Sequence, residues 1–521
     1  MTERPQYFEN TLKPLEINAA SLANSLKELR VAVRLGTEAI QANEPPQEKW
    51  SVGGMFKSFP RVALAFLRLD YQSSVLNDES VSQPDYRQLA LERIPSEFPE
   101  TPLLPSRLSP AGSFSPISAV SLRVLSALAK SNWGENYKPS LSQKDVTCLL
   151  DASNLALKNA PLVHHDGRNM GGDEMLFGRA GLLWTLLNIR AHQFDDKTQK
   201  ALGPVYETIP KMIDVIIDSG RQGSKNYIEK NGAQDAHPLM YAWTEGHYCF
   251  GAVHGITGIL SIILAAKSEE LTKHLGIIGE TITALCKMTL SNNGHMMITL
   301  PPIKSEHTRT SELVQLCHGS PGILILLGEA LKNKSLTQDH WCPEWDQAIY
   351  KASQRIWEEG LLSKGGSLCH GISGNGLPWL TLHNTFEYHS KNLEAAKTAY
   401  VQRTQALAPS YGDASLRLTP DFFLSKALAF MLHSRETPPY NKAAGVSEKD
   451  YRMPDDPYSL SEGLTGTVCA WAETCAVIQA RLHKMELGEG SDLNSDRLFE
   501  QAIKSELGFP LVGGNGAGGL L

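Results

Sequence analysis

Strongly apolar segments recur along this chain, and five of them begin with the same pair of glycines. Each starts with Gly-x-x-Gly and continues as a run of Leu, Ile, Val, Ala or Trp with little polar surface. A helix that is apolar around most of its surface is buried on several sides, and the glycines let neighbouring backbones approach closely. The pattern predicts buried helices that begin at Gly178–Gly181, Gly255–Gly258, Gly319–Gly322, Gly371–Gly374 and Gly463–Gly466.

Amphipathic stretches separate these buried segments. Residues 196–219, 269–290 and 345–361 carry apolar residues at helical spacing on a polar background, which predicts half-buried helices. Apolar stretches near residues 62 and 118 lack the glycine pair but complete a set of seven units. Seven such helix pairs predict an all-α (α/α)7 toroid, with an inner ring of helices inside an outer ring. An open α-solenoid is the alternative, but solenoid repeats usually have more uniform lengths.

In a toroid of this kind the N-termini of all inner helices meet at one end, which we call the mouth. The residues just before each glycine pair then line the mouth. In the later repeats these residues are the pairs Cys317-His318 and Cys369-His370, and finally Glu462. Helix N-termini attract anions and lower the pKa of nearby thiols.

Two Cys-His-Gly-x-x-Gly units in one chain indicate a metal site. Thiolates and imidazoles are the ligands that zinc prefers, and adjacent Cys and His side chains can both reach one ion where the backbone is not yet helical. We therefore expect Cys317, Cys369 and His370 to hold zinc with an open fourth position, as in catalytic sites. A closed, structural site with His318 as the fourth ligand is the alternative.

Composition narrows the class of protein. The chain has 521 residues, of which 42% are hydrophobic and 20% charged, with a net charge of −7, as in globular proteins. It shows no dense stripe of Lys and Arg, which argues against nucleic acid as a partner. Eight cysteines are too few for a disulfide scaffold. Neither a secretory signal nor an apolar run of about 20 residues is present, so we expect no transmembrane segment and a cytoplasmic location.

The motifs together resemble the LanC-like family. The resemblance rests on one His-Gly-x-x-Gly, two Cys-His-Gly-x-x-Gly units and a final Ser-x-x-Glu-Gly-x-x-Gly-Thr, and it covers most of the chain. The family includes the eukaryotic LanC-like proteins and, more distantly, the bacterial lanthionine synthetase cyclases, and its fold is the α/α toroid. The family zinc is held by a Cys of one repeat and a Cys-His pair of the next, which correspond to Cys317, Cys369 and His370.

The resemblance also implies an activity. In this family zinc activates a thiol, in eukaryotic members one similar to that of glutathione. The thiol adds to dehydroalanine or dehydrobutyrine in formerly phosphorylated proteins, which gives a lanthionine-type thioether. His254 lies where the family has a candidate acid or base, His318 is a second candidate, and Glu174 lies where the family has an acidic residue. Helix capping by His254 or Glu174, and a structural or supporting role for His318, are the simpler alternatives.

A glutathione site follows from the same resemblance. Lys364 lies where eukaryotic members have a lysine that resembles a carboxylate clamp, and Arg452-Met453-Pro454-Asp455 resembles the family's Arg-x-Pro-Asp turn. Arg suits a carboxylate, and Asp suits the α-ammonium of a γ-glutamyl group. Met453 departs from the usual small hydroxyl residue. A solvated surface turn is the alternative interpretation.

The chain as a whole, residues 1–521, is expected to form one toroid domain. Residues 1 to about 50 are expected to form an N-terminal helical extension, and a polar insertion at about 389–450 is expected to separate the last two repeats. This insertion could cover the mouth or bind a partner. Residues 78–112 are predicted to be a long surface loop, and the glycine-rich tail from residue 513 a flexible chain end.

Three functions compete at this point. The first is a zinc-dependent, lanthionine-forming enzyme, of a glutathione transferase or lyase type, with glutathione and dehydroamino-acid-containing proteins as partners. The second is a regulatory or adaptor protein that binds zinc and glutathione without turnover. The third is a glycosidase-type barrel with paired carboxylates. The third is disfavoured because Glu462 is the one acidic residue directly before a glycine pair.

Overall fold

Seven helices with little polar surface form a closed inner ring. In the computed structural model each of them contacts the next along the chain, and the last contacts the first, so the all-α (α/α)7 toroid is confirmed. The structure describes residues 4–78, 82–128, 141–302, 312–405, 417–441, 449–488, 493 and 496–513. Helices are numbered in chain order. The inner helices are α2 (Pro60–Tyr71), α5 (Ile117–Leu125), α7 (Arg179–Ala191), α10 (Ile256–Leu264), α13 (Ser320–Lys332), α16 (Ile372–Tyr388) and α19 (Leu464–Leu487).

An outer helix precedes each inner helix along the chain, and the two together form one unit. Most outer helices pack against the inner helix of the preceding unit, and α1 of the first unit packs against α19 of the last, which joins the two ends of the chain. The outer helices are α1 (Ala19–Asn43), α4 (Tyr86–Leu91), α6 (Gln143–Lys158), α9 (Ile209–Asn231), α12 (Leu275–Ser291), α15 (Pro343–Glu359) and α18 (Pro420–His433). Shorter helices connect them, namely α3 (Ser73–Leu76), α8 (Asp196–Tyr206), α11 (Ser268–Leu271), α14 (Lys334–His340), α17 (Ser390–Thr404) and α20 (Arg497–Lys504).

Burial follows the pattern of apolar residues. Every residue of inner helix α10 is buried, whereas outer helix α15 buries one face. Among the described residues, no helix combines the length and the apolar character that crossing a bilayer requires.

In four of the five pairs the second glycine permits a very close backbone contact. A Cβ atom at Gly374 would lie 1.6 Å from the carbonyl oxygen of Leu368, and one at Gly258 would lie 1.7 Å from that of Ala252. The loop before the helix therefore folds back onto the first helical turn. In these four units the contact fixes the residues just before the inner helix, which are mouth residues.

We expect Gly374→Ala to lower the free energy of unfolding by about 3 kcal/mol, because the new methyl group overlaps a main-chain oxygen that cannot move independently. Gly276→Ala is the matched control. Gly276 is an exposed glycine in α12 with nothing within 4 Å of the added methyl group, so its replacement should raise stability by about 0.5 kcal/mol. Denaturant unfolding of both variants measures the difference, and equal stabilities would contradict this account of the glycine pair.

Backbone hydrogen bonds connect neighbouring loops around the mouth. They link consecutive units from the fourth to the seventh, and then join the seventh to the first and the first to the second. The first two units occupy equivalent positions although they lack the glycine pair. The N–H to O=C contacts are Ala252 to Leu316 (3.1 Å), Leu316 to Cys369 (3.1 Å), Cys369 to Ser461 (2.7 Å), Ser461 to Phe56 (3.2 Å) and Phe56 to Ala111 (3.0 Å).

A small antiparallel sheet, which the sequence did not reveal, is added to the toroid. Its five strands pair in chain order. The third and fourth strands precede the inner helix of the fourth unit, and the fifth strand precedes that of the fifth unit. Asp166 and Gly167 form the two-residue turn of the first hairpin with φ of 46° and 76°, a dipeptide typical of tight hairpins. The strands are β1 (Leu162–His165), β2 (Arg168–Gly171), β3 (Ala242–Thr244), β4 (His247–Cys249) and β5 (Thr299–Leu300).

The opposite end of the ring holds a buried charge cluster. Glu473 on α19 lies 3.9 Å from the guanidinium of Arg68 on α2 and accepts hydrogen bonds from the backbone N–H groups of Leu507 and Gly508. Burial raises the pKa of Glu473 against the influence of Arg68. The segment after α20 is thus attached across the inner ring from the side away from the mouth.

In two polar stretches, residues 78–112 and 389–450, the structure differs from what their composition suggested. The prediction of a surface loop over residues 78–112 was wrong, since α4 lies within it and Leu108 and Ala111 are buried where the chain passes the mouth. Within residues 389–450, α18 packs on inner helix α16 as an outer helix. Residues 406–416 and 442–448 of that range, and the glycine-rich tail from 514 onward, lie outside the described residues.

Candidate functional site

Two thiols and an imidazole converge at the mouth. The ligand atoms of Cys317, Cys369 and His370 all lie within 4.8 Å of one another, and Cys369 Sγ is 3.4 Å from His370 Nε2. Both cysteines are buried and the histidine is half-buried. The loops of the fifth and sixth units bring them together through the Leu316–Cys369 backbone hydrogen bond described above.

The pKa values of the two thiols in this cluster are shifted in opposite directions. Burial raises the pKa of both thiols. For Cys317, hydrogen bonds from Cys369 and His370 outweigh burial and hold its pKa well below the usual range. The pKa of Cys369 is raised, first by burial and then by its neighbour Cys317. Gln315 Nε2 also donates to Cys317 Sγ over 3.2 Å, and a donated hydrogen bond favours the charged form of a thiol.

The donor set is one that suits zinc. Two sulfurs and one imidazole nitrogen are typical zinc ligands, and metal binding requires both thiols to lose their protons. Among the described residues, the group of close ligand atoms contains Cys317, Cys369 and His370 but not His318. The arrangement can therefore supply three protein ligands to one ion.

A second group of side chains lies beside the thiols. His254 Nδ1 is 2.9 Å from Glu174 Oε2, and Glu174 is 1% exposed. The ring of His254 stacks on that of His318 with centroids 5.2 Å apart and planes inclined by 22°. Burial alone would lower the pKa of His254, but the Glu174 carboxylate outweighs it and raises the pKa. The pair can hold and release a proton next to the thiol cluster.

One residue at this group was missed from the sequence. Trp243 lies 5.4 Å from the ring centroid of His254 and 6.0 Å from that of His318. It is the extra residue of a β-bulge, because Ala242 pairs with Tyr248 while Thr244 pairs with His247. Bulges beside functional sites redirect a side chain. The signal in the sequence was Glu245-Gly246, which ends a short strand with a turn.

The residues proposed to bind glutathione lie on two adjacent segments. Arg452 N–H donates to the carbonyl of Ser363, over 2.8 Å, next to Lys364. The guanidinium of Arg452 forms an ion pair with Asp455, and both side chains are exposed, as is Lys364. The positive charge of Lys364 acts on Cys369 by lowering its pKa, although burial dominates there. Pro454 is half-buried within the turn.

Comparison with known proteins settles the family. The sequence profile described as "Lanthionine synthetase C-like protein" matches residues 129–411, more than half of the chain. The chain belongs to the LanC-like family. Cys317, Cys369 and His370 all lie within the matched range, whereas Arg452 lies beyond it.

Individual LanC-like relatives are distant. The chain is 28% identical to glutathione S-transferase LANCL1 of Danio rerio over 221 residues, which is 42% of this chain and 48% of that protein. It is 23% identical to LanC-like protein GCL1 of Arabidopsis thaliana over 353 residues, 68% of this chain and 66% of that one. The match thus spans about half the length of the first relative. Among solved structures, nisin cyclase is 16% identical with a TM-score of 0.33, over 74% of this chain and 91% of that chain.

Proposed function

We propose that this LanC-like protein is a zinc-dependent enzyme that adds the thiol of glutathione to dehydroalanine or dehydrobutyrine residues of proteins. The observation that carries the proposal is the buried Cys317–Cys369–His370 cluster next to the Glu174–His254 pair. A thiol-activating centre and a proton-holding group at one mouth are what such an addition needs. The name of the Danio rerio relative, glutathione S-transferase LANCL1, supports the choice of thiol.

Cys317, Cys369 and His370 would hold the zinc ion, and the open position would face the incoming thiol. Bound zinc lowers the pKa of a coordinated thiol, so that a nucleophilic sulfur is available near neutral pH. The buried position of the two cysteines excludes water from around them. The amide of Gln315, which already donates to Cys317, fixes the orientation of that sulfur.

The bond changes in the addition balance without an external oxidant or reductant. The thiol of glutathione first loses its proton to solvent, from which His254 is later reprotonated. The thiolate sulfur then forms a bond to the β-carbon of the dehydroamino acid, and the π electrons of the carbon–carbon double bond move to the α-carbon and its carbonyl group. His254 then gives a proton to the α-carbon. Its Nδ1 is fixed by Glu174, so Nε2 is the nitrogen that carries the transferred proton. Positioned acid–base groups of this kind contribute about 10²- to 10⁴-fold to rate.

Lys364, Arg452 and Asp455 would bind the ends of glutathione. Lys and Arg pair with its two carboxylates, and Asp455 pairs with the α-ammonium group, with the rigid Pro454 shaping the turn. Arg452 already forms an ion pair with Asp455, so binding of the γ-glutamyl group would exchange this pair for two new ones.

We expect Arg452→Ala and Lys364→Ala each to raise the KM for glutathione about tenfold while leaving kcat and the zinc content nearly unchanged. Each variant removes one hydrogen bond between charged groups, worth about 1.5 kcal/mol, and neither residue belongs to the metal cluster. Steady-state kinetics at varied glutathione measure the effect. Lys225→Ala, an exposed lysine on outer helix α9, serves as the control and should change nothing. An unchanged KM in both Arg452→Ala and Lys364→Ala would show that glutathione does not bind at these residues.

A crystal structure of the zinc-loaded protein with glutathione tests the proposal as a whole. We expect the glutathione sulfur to occupy the fourth position of the Cys317–Cys369–His370 site and the γ-glutamyl group to contact Arg452 and Asp455. Glutathione bound away from the mouth, or a fourth protein ligand such as His318 on the ion, would contradict it.

A further inference from the structure

The two ring nitrogens of His370 face different partners. Nε2 lies 3.4 Å from Cys369 Sγ, on the side of the thiol cluster. Nδ1 lies 3.8 Å from Glu462 Oε1, on the other side. The nitrogen that faces the thiols is the one that can join them around an ion. The other nitrogen faces the carboxylate at ion-pair distance, which is longer than a hydrogen bond.

Glu462 is itself held by a lysine from the far end of the sequence. Lys57 Nζ lies 2.6 Å from Glu462 Oε1, and the side chain of Glu462 is 14% exposed while that of Lys57 is 54% exposed. The backbone fixes this meeting, because both the N–H and the hydroxyl of Ser461 donate to the carbonyl of Phe56. Lys57 and Glu462 are the residues that follow these two in the chain.

The order Lys57, Glu462, His370, Cys369 therefore runs from the first unit through the seventh to the sixth. A histidine that ligates a metal usually donates its second N–H to a carboxylate, which fixes the tautomer and the ring orientation. A partly buried carboxylate needs a partner for its own charge, and without one it turns towards solvent. Lys57 supplies that partner and keeps the carboxylate beside the imidazole.

We propose that Glu462 and Lys57 are positioning residues for the metal site, so that the site depends on the first, sixth and seventh units as well as the fifth. Glu462 directs Nε2 of His370 towards the two thiols, and Lys57 directs Glu462. The inference rests on the zinc site of the proposed function. It adds that closure of the ring, where the first unit meets the last, is a condition for full metal affinity.

The test is zinc affinity of the purified full chain, measured by competition with a chromophoric chelator. Glu462→Ala should weaken zinc binding about 10- to 100-fold, the usual effect of losing an outer partner of a ligand. Glu462→Gln keeps an acceptor oxygen and should lose less. Lys57→Met should weaken binding roughly fivefold, as expected for loss of an exposed ion pair, and Lys57→Arg should restore it. Lys49→Met, an exposed lysine in the same segment, is the control and should bind as the unmodified protein does.

Two further readouts separate positioning from a general loss of stability. The visible spectrum of the cobalt-substituted protein should change in Glu462→Ala and return towards normal in Glu462→Gln, because it reports the ligand geometry. In the double variant Lys57→Met/Glu462→Ala the loss should equal that of Glu462→Ala alone, since Lys57 acts through Glu462.

The outcomes are distinguishable. Unchanged zinc affinity and an unchanged cobalt spectrum in Glu462→Ala and Lys57→Met would overturn this inference and leave the proposed function intact. Additive losses in the double variant would also overturn it, because they would make the two residues independent. Failure of the unmodified protein to bind zinc would overturn the proposed function together with the inference.

Discussion

Replacement of Cys369 by alanine is expected to abolish zinc binding and glutathione addition together. It removes one of three converging ligands and leaves a buried cluster with one sulfur and one imidazole. The loss of affinity should exceed the roughly 100-fold that removal of an outer partner causes. Zinc content after dialysis against a weak chelator measures it, with about one ion per chain expected for the unmodified protein and almost none for the variant.

A matched variant separates loss of the ligand from loss of a buried thiol. Cys286→Ala removes the sulfur of a fully buried cysteine on outer helix α12. It should lower the stability of the fold by about 1 kcal/mol through the cavity that it leaves, and should retain zinc. A Cys369→Ala protein that keeps its zinc would remove Cys369 from the metal site. A Cys286→Ala protein that loses zinc would show that zinc loss does not identify a ligand.

The second large effect is expected from replacing His254, the proposed proton donor. We expect His254→Asn to slow the addition by about 10²- to 10⁴-fold while zinc content stays at one ion per chain, because the acid–base group is lost and the ligands remain. Glu174→Gln should act in the same direction but less strongly, since the imidazole is still present. The rate constant under saturating glutathione measures both effects. His164→Asn, an exposed histidine of strand β1, should behave as the unmodified protein. A His254→Asn variant of normal rate would exclude this residue as the proton donor.

The same pair sets an expected pH dependence. Burial lowers the pKa of His254, but the Glu174 carboxylate outweighs it, so the folded-state pKa is raised above 6.5. Protonated His254 is then present below that raised pKa and is lost as the pH rises through it. In Glu174→Gln the upward influence is removed, so the rate should fall off at lower pH than in the unmodified protein. A pH–rate profile that does not move would show that another group donates the proton.

The sequence was informative where chemistry and backbone geometry are local. Gly374 and most of the glycines equivalent to it mark contacts with the chain a few residues away, so five of the seven inner helices and their common mouth could be inferred without a structure. The first two inner helices were inferred from their apolar residues alone. The two Cys-His pairs precede such glycines, and this placed Cys317 and Cys369 at one end of neighbouring helices. Their role as zinc ligands remains a prediction.

The features of the fold and the site that could not be predicted depend on contacts between segments distant in the sequence. Strand β2 pairs with β3 more than 70 residues later, and the register that bulges Trp243 towards His254 is not encoded by either strand alone. Lys57 meets Glu462 only because the ring closes. The first unit has no glycine pair, so no motif in the sequence marked Lys57 as a mouth residue. Polar composition alone was a poor guide over 78–112, where Leu108 and Ala111 are buried.

The aromatic cluster of His254, His318 and Trp243 bears on the choice between an enzyme and a binding protein. An adaptor that merely held zinc and glutathione would need the metal cluster and the clamp. It would not need a neighbouring histidine whose pKa is raised by a buried carboxylate. An enzyme and an adaptor differ in whether they turn over substrate, so measurements of zinc or glutathione binding alone do not distinguish them.

The most direct test is mass spectrometry of a dehydroalanine-containing peptide incubated with the zinc-loaded protein and glutathione. The account predicts that the peptide gains the mass of one glutathione, that the product accumulates well beyond one equivalent of protein, and that Cys369→Ala and His254→Asn protein give no more adduct than a reaction without protein. Bound zinc and bound glutathione with no adduct above that background would contradict the enzyme and leave the adaptor in its place.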